Sequence, residues 1–313
     1  MSKEKIFDKI IKELCEEFQI VVESKSRGWI LKLQKDEKVK YIIGKKFPLN
    51  SESSGAIVSD KYATFEILDS FSVPTIKHTL LFNPKTRSEY LEVESNKEIL
   101  NREFFKYKRL VIKPNFGSEG NGVTLCNSLE DSEYTVDKLF ETSDSISICP
   151  YYDIKTEYRT FYLDGNVLLI YGKKKPFVVG DGISTLEELI EKLNLPKKAV
   201  VRENLRLLDL TRIPQNGEKV EISWKHNLSG GATAMLLEDG PLYEKVEKLA
   251  IRAGKAADVR FATIDIIHTN DDKLYVMEIN SGVTADIFAE IVENGYEIAK
   301  AVYRGAIKAM FEM

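Results

Sequence analysis

The chain has 313 residues, of which 43% are hydrophobic, and its 45 basic and 49 acidic residues give a formal net charge of −4. This length and apolar content allow a sizeable core and two or three lobes. The near balance of charge offers no general attraction to nucleic acid or membranes, so we expect neither as a partner. Three cysteines, Cys15, Cys126 and Cys149, lack metal-binding or redox spacing, and their odd number predicts reduced thiols rather than a disulfide framework.

The first residues predict an amphipathic helix rather than a signal peptide. Apolar residues recur at helical spacing up to Phe18, and those expected to face inward are Ile6, Ile10, Ile11, Leu14 and Phe18. The segment lacks the continuous apolar stretch of a signal peptide, and no part of the chain approaches the apolar length of a membrane span. These features predict a cytoplasmic location.

Short β-rich segments follow near residues 19–22, 29–33 and 39–43 and predict a small α/β lobe. The polar segment 50–55 marks a predicted boundary. After it, we expect Asp60 to begin a helix as its N-cap.

A glycine-rich segment from Lys113 to Gly122 lies between two short β-branched stretches. It predicts a hairpin with the glycines at its tip. The order G-x-x-G-x-G differs from the dinucleotide motif G-x-G-x-x-G, and the chain has no G-K-[ST] of a P-loop. Glycine amides can close on phosphate oxygens and Lys113 would add a charge, so the segment predicts phosphate binding. On its own, the pattern also fits a flexible turn.

The middle of the chain contains a basic run and a helix start. The run from Lys173 to Lys175 fits either a solvated face or a substrate-facing role. Further on, Ser184 and Glu187 have the spacing of a capping box and predict the next helix.

A second predicted hairpin, at 261–268 and 273–280, contains three oxygen ligands. Glu278 and Asn280 are two residues apart and project from one face of their strand, and Asp265 on the partner strand can lie opposite them. Carboxylate and amide oxygens are the ligands that magnesium prefers. The alternative is a solvated strand face that binds no metal.

A phosphate hairpin followed far downstream by a carboxylate hairpin ending in E-x-N resembles the ATP-grasp ligases, in particular the ATP-grasp domains of cyanophycin synthetase and bifunctional glutathione synthetase. The resemblance extends over roughly residues 55 to 290. Further segments similar to the family's motifs are Asp60-Lys61 with Thr64, Glu157-Tyr158-Arg159, the G-D-G segment at 180–182 with its following helix, and Asn227-Leu228-Ser229-Gly230-Gly231.

The resemblance implies an α/β (α+β) ATP-grasp fold, in which two α+β lobes hold ATP. It also implies roles for individual residues. Two lysines, Lys61 and Lys113, would bind phosphate, under a loop formed by Gly117, Ser118, Glu119, Gly120, Asn121 and Gly122. Nucleotide contacts would further come from Tyr151, Tyr152 and, to the ribose, Glu157. Two magnesium ions, with manganese as an alternative, would be held by Asp265, Glu278 and Asn280. Residues facing the transferred phosphate and acyl group would be Arg159, Asn227, Lys173 and Lys174.

Three departures from the family pattern bear on the substrate rather than on ATP. The family has a glutamate near Pro150, and an arginine followed by a Pro-Ala pair where this chain has Lys173 to Pro176. After Asn280, this chain has Ser281-Gly282-Val283 in place of a Pro-containing turn.

We therefore predict a small N-terminal lobe at 1–55 and an ATP-grasp domain at 56–313. The latter would comprise a lid-bearing lobe at 56–149 and a larger metal-binding lobe at 150–313, with a closing helix from about Gly295. The predicted activity is ATP- and magnesium-dependent joining of a carboxylate to an amine through an acyl phosphate, on amino-acid or short-peptide substrates. The alternatives are a small-molecule kinase and an ATP-binding protein without turnover. A homodimer is compatible with the sequence.

Overall fold

The computed structural model describes residues 5–90, 94–117, 120–193 and 208–313. The helices are α1 (Ile6–Glu17), α2 (Glu52–Ser59), α3 (Lys61–Ser70), α4 (Asn96–Tyr107), α5 (Leu129–Phe140), α6 (Leu186–Glu191), α7 (Pro241–Ala256), α8 (Asp286–Ile291) and α9 (Gly295–Phe311). The strands are β1 (Val21–Lys25), β2 (Ile30–Lys35), β3 (Lys38–Ile43), β4 (Thr79–Phe82), β5 (Leu110–Pro114), β6 (Thr124–Cys126), β7 (Ser145–Pro150), β8 (Ile154–Leu163), β9 (Asn166–Lys174), β10 (Phe177–Val179), β11 (Lys219–Glu221), β12 (Thr233–Leu236), β13 (Phe261–Thr269) and β14 (Leu274–Asn280). Within these ranges, every helix is too short or too polar to cross a bilayer.

The largest sheet is antiparallel and has the strand order β12-β9-β8-β13-β14. Because side chains alternate along each strand, the sheet has two different faces. One face packs against α7 through apolar side chains such as Tyr158, Ile264 and Val276. The other face carries Phe161 and Tyr171 over the main core, followed along the same strands by charged residues.

A second antiparallel sheet has the order β4-β7-β5-β6. Leu110 and Ile112 of β5 point to one face, which α4 and α5 cover. Val111 and its neighbour Cys149 on β7 point to the other face, where they form a shared apolar cluster with Ile267 of the large sheet. The two sheets therefore meet at an apolar contact, next to the glycine-rich hairpin.

The N-terminal helix packs into the core of the large sheet. The rings of Phe7 and Tyr303 pack edge to face with their centroids 5.2 Å apart, and the rings of Phe47 and Phe261 pack in the same way with centroids 5.0 Å apart. The Asn50 side chain bonds the backbone of Phe261 in both directions, at 2.7 Å as donor and 3.0 Å as acceptor. The N-terminal segment is thus fixed to the strand that carries Asp265.

Most predicted elements are confirmed. The N-terminal helix, the three strands after it, both hairpins and the closing helix are present. Asp60 begins α3, where its side chain accepts a hydrogen bond from the amide of Ala63 at 2.8 Å. The three cysteines are unpaired and buried.

One local prediction was wrong. The capping box of α6 lies one residue further on and consists of Thr185 and Glu188, because Asp181 holds the amide and hydroxyl of Ser184 in a turn. The polar segment 50–55 also contains the start of α2, which the sequence patterns did not indicate: Ser51 caps this helix by accepting from the amide of Ser54. The division into lobes at 55/56 and 149/150 stays a prediction.

Two helical glycines provide a matched test of how α7 packs. A Cβ at Gly254 would lie 2.6 Å from the ring of Tyr162, whereas a Cβ at Gly55 in α2 would meet nothing within 4 Å. We expect Gly254→Ala to destabilise the protein by about 1–3 kcal/mol through overpacking. Gly55→Ala should stabilise it by about 0.5–1 kcal/mol through helix propensity. Urea unfolding of both variants measures the difference, and equal stabilisation of both would show that α7 can move away from the sheet.

Candidate active site

A cavity of about 670 Å³ lies where the glycine-rich hairpin faces the charged part of the large sheet. In the part of the chain that the structure describes, its basic lining residues are Lys45, Lys46, Lys61, Arg159 and Lys173. Its acidic lining residues are Glu278 and Asp286. The excess of positive charge suits an anionic ligand.

The register of the strands in the large sheet places five charged side chains next to one another. Arg159 is paired across the sheet with Asp265, and Asp265 with Glu278 on its other side. Glu157 is paired with Lys173. Since cross-strand partners share a face, all five side chains project to the same side of the sheet.

These groups form a buried ion-pair network. Arg159 donates to both carboxylate oxygens of Asp265, from Nε at 2.8 Å and from Nη2 at 2.6 Å. Lys173 Nζ lies 3.4 Å from Asp265 Oδ1 and also pairs with Glu157. Asp265, Lys173 and Glu157 are each less than 5% exposed. Charges removed from water to this extent are tolerated only when paired, and here two cations meet two anions.

The network shifts its two carboxyl groups in opposite directions. Burial raises the pKa of Asp265, but Arg159 and Lys173 outweigh burial and hold that pKa below its ordinary value. Burial also raises the pKa of Glu157, and there the opposing charge of Lys173 does not compensate for it. For Lys173, burial and Arg159 act to lower the pKa, and Asp265 and Glu157 together raise it above its ordinary value. The cations therefore stay charged at neutral pH.

The three candidate metal ligands differ in accessibility. Glu278 and Asn280 line the cavity, with Asn280 Nδ2 donating to Glu278 Oε1 at 3.1 Å. Asp265 has both oxygens engaged by Arg159 and does not line the cavity. The residues described contain no group of three His, Cys, Asp or Glu side chains placed to hold a metal. The hard oxygens of Glu278 and Asn280 fit a magnesium ion that takes its other ligands from phosphate.

The two predicted phosphate lysines lie near each other. Lys61 lines the cavity, and its Nζ donates to the carbonyls of Asn115 at 3.2 Å and Gly117 at 3.1 Å. Burial and the nearby Lys113 lower the pKa of Lys61 to about 8. Lys113 is 6% exposed and lies on β5 opposite Ser147. Two desolvated amines at the foot of the hairpin favour an anionic ligand there.

The tip of the hairpin rests against the large lobe. A Cβ at Gly120 would lie 2.3 Å from Asn227 Nδ2, and Gly120 has φ +71°, so only glycine fits without a shift. Lys225 Nζ donates to the Gly120 carbonyl at 3.3 Å. Asn121 is exposed beside this contact. Gly122 has φ +68°, and Ser118 and Glu119 lie outside the described residues.

Other predicted residues lie outside the cavity. Lys174 is exposed and points to the opposite face from Lys173. Glu157 contacts Lys173 inside the network. Tyr151 and Tyr152 belong to the apolar cluster between the two sheets, where Arg109 stacks 3.9 Å from the Tyr151 ring.

Three charged residues of the cavity were not indicated by the sequence patterns: Lys45, Lys46 and Asp286. The two lysines come from the N-terminal segment, which the motif spacing does not relate to the site. Asp286 follows the altered segment after Asn280, and that departure was the available signal.

Comparison with solved structures identifies the fold. The bifunctional glutathione synthetase from Pasteurella multocida superposes with a TM-score of 0.57 at 18% identity, covering 98% of this chain and 44% of that chain. The D-alanine–D-alanine ligase from Bacillus anthracis complexed with ATP gives a TM-score of 0.51 at 18% identity, over 84% of this chain and 70% of that chain. The chain has the ATP-grasp fold, as predicted.

Sequence comparison relates the chain to particular ATP-grasp proteins. Residues 209–304 match the family model of the RimK-like ATP-grasp domain. Cyanophycin synthetase from Trichormus variabilis is 28% identical over 232 residues, 68% of this chain and 24% of that protein. The glutathione biosynthesis bifunctional protein GshAB from Clostridium perfringens is 25% identical over 274 residues, 81% of this chain and 33% of that protein. The predicted resemblance to ATP-grasp ligases is confirmed, and the chain spans about a quarter to a third of these relatives' length.

The buried network leads to a paired prediction on stability. Asp265→Asn would leave Arg159 and Lys173 buried with one anion between them, and should cost about 3–5 kcal/mol of unfolding free energy. Glu278→Gln changes a cavity-lining carboxylate and should alter stability by less than about 1 kcal/mol. Urea unfolding followed by circular dichroism measures both values. Similar costs for the two variants would mean that the network is hydrated rather than buried.

Proposed function

We propose that the protein is an ATP- and magnesium-dependent carboxylate-amine ligase that forms an amide through an acyl phosphate. The observation that carries this proposal is one cavity that contains Lys61, Arg159 and Lys173 together with the oxygen ligands Glu278 and Asn280. Phosphoryl transfer needs positioned cations and a metal site, and no protein nucleophile. Glutathione and D-alanine, in the names of similar proteins, support amino-acid or short-peptide substrates.

ATP would lie between the two sheets. Its base would enter the apolar cluster near Tyr151 and Tyr152, and its phosphates would reach Lys61 and Lys113 under the hairpin. Glu278 and Asn280 would hold magnesium, which when bound supplies positive charge to the phosphates. Lys174 is exposed, so we assign the cationic role in the site to Lys173 and Arg159.

The reaction would proceed in two steps. A substrate carboxylate oxygen attacks the γ-phosphorus, the bond to the bridging oxygen of ADP breaks, and an acyl phosphate forms. The amine substrate first gives up its ammonium proton to solvent and attacks the acyl carbon as a neutral amine; phosphate then leaves, and the second proton lost by the nitrogen also goes to solvent. Arg159 and Lys173 would stabilise the negative charge on the transferred phosphate and the carbonyl oxygen. The contact of Gly120 with Asn227 would exclude water from the acyl phosphate.

Hydroxylamine tests the proposal, because it intercepts an acyl phosphate as a hydroxamate. We expect ATP, magnesium and a panel of amino acids and dipeptides to yield a hydroxamate and phosphate with at least one acid. Glu278→Gln should lower this rate by about 100-fold or more, and should affect nucleotide affinity less, because the metal acts most strongly in the transition state. A stable phosphate ester would instead indicate a kinase, and nucleotide binding without turnover a non-catalytic protein.

Nucleotide binding should also change the protonation of Lys61. At pH 8 roughly half of the Lys61 amines are neutral, since burial and Lys113 lower its pKa to about 8. Phosphate anions favour the charged amine and raise the pKa of Lys61. Nucleotide binding at pH 8 should therefore be accompanied by the uptake of roughly half a proton by the Lys61 amine. Calorimetry of a non-hydrolysable ATP analogue in buffers of different ionisation enthalpy measures the uptake.

The matched variants for this measurement are Lys61→Arg and Lys174→Arg. Arginine stays charged at pH 8, so Lys61→Arg should remove the uptake, and Lys174→Arg on the exposed face should retain it. An unchanged uptake in Lys61→Arg would show that phosphate does not bind at this amine.

A further inference from the structure

The N-terminal segment forms part of the cavity wall. It does so by pairing with the residues that directly follow the candidate metal ligand Asn280. Lys46 forms an isolated β-bridge with Gly282, and the amide of Val283 donates to the Lys45 carbonyl at 2.9 Å. These backbone contacts bring the side chains of Lys45 and Lys46 to the same cavity as Asp286. The site is therefore shared between the first 50 residues and the large lobe.

The carboxylate of Asp286 can accept more hydrogen bonds than it makes within the described residues. Its Oδ2 accepts from Lys45 Nζ at 2.7 Å, and its Oδ1 is covered and has no partner among the described residues. A buried acceptor without a donor is unfavourable until a donor reaches it. The side chain as a whole is 29% exposed and lines the cavity, and its Oδ2 has a second lone pair beside the one that Lys45 uses. A donor that enters the cavity can thus reach this carboxylate.

The two lysines of this wall have different environments. Lys45 is held by Asp286 and by the Phe7 ring, 4.0 Å from its Nζ, and burial lowers its pKa while Asp286 opposes that shift. Lys46 is exposed, and no acidic partner is found for it within the described ranges. Lys45 therefore fixes Asp286, and Lys46 offers a positive charge to a ligand.

We propose that Asp286 and Lys46 bind the amine-donating substrate as a zwitterionic amino acid, with its ammonium group on Asp286 and its carboxylate on Lys46. This inference rests on the proposed function, because that function requires an amine substrate, which is an ammonium ion at neutral pH. Of the acidic side chains that line the cavity in the described ranges, Glu278 is assigned to the metal, which leaves Asp286 for the ammonium. A free carboxylate on the same substrate meets the positive charge of Lys46.

Binding of small molecules to the whole chain tests the proposal without turnover. The protein is saturated with magnesium and a non-hydrolysable ATP analogue, and its affinity for the common amino acids and for diglycine is measured by calorimetry. We expect at least one of them to bind, its N-acetyl derivative to lose affinity, and its carboxamide to bind more weakly. Asp286→Asn should raise the Kd about 10- to 100-fold, the loss expected for a charge-assisted hydrogen bond.

Matched controls separate this subsite from general charge effects. Lys46→Ala should weaken the same ligand, whereas Glu293→Gln and Lys40→Ala, which change charge outside the cavity lining, should leave its Kd unchanged. Asp286→Glu, which keeps the charge, should recover part of the affinity. If Asp286→Asn does not fold, the comparison of free and N-acetylated ligand on the natural chain decides.

Three results would overturn the inference: no member of the panel binds although the nucleotide analogue does, the N-acetyl derivative binds equally well, or a folded Asp286→Asn retains full affinity. Each of these leaves the ATP site intact and contradicts the amino-acid subsite alone. Failure of the nucleotide analogue to bind would contradict the proposed function as well.

Discussion

The buried pairing of Arg159 and Lys173 with Asp265 and Glu157 is the constraint on which the site depends. Isolated charges at such low exposure would cost many kcal/mol, so the four groups are stable only together. Strands β8, β9 and β13 must keep one register to bring them together, because a slip of one residue would turn each side chain to the apolar face under α7. The register that satisfies the charges also places Glu278 beside Asp265. The same strand register is therefore needed both for a stable fold and for assembly of the site.

The second sheet and the N-terminal segment complete the cavity from other directions. The second sheet contributes the glycine-rich hairpin, whose tip contacts Asn227. The N-terminal segment contributes Lys45 and Lys46 through backbone pairing with the segment after Asn280. Because these contributions are far apart in sequence, the cavity exists only when all three parts are packed.

Sequence patterns predicted the parts of the site that depend on local chemistry. Alternation and turn residues were sufficient for both hairpins, and the spacing of Glu278 and Asn280 placed them on one face. Tertiary contacts could not be predicted in the same way. Nothing local indicates that Lys173 faces the network while Lys174 faces solvent, since this depends on which face of β9 is covered. The ion pair of Lys45 with Asp286, which joins residues 241 positions apart, is likewise a product of folding.

The one-residue error at α6 arose because Ser184 and Thr185 have equivalent capping chemistry and the turn at Asp181 selects between them.

We expect one cleft between the two sheets to hold both nucleotide and metal, and a crystal structure with magnesium and a non-hydrolysable ATP analogue would test this. The triphosphate should lie beside Lys61 and Lys113, the metal on Glu278 and Asn280, and the base in the apolar cluster with Tyr151. A nucleotide bound elsewhere, or a metal that contacts neither Glu278 nor Asn280, would contradict it.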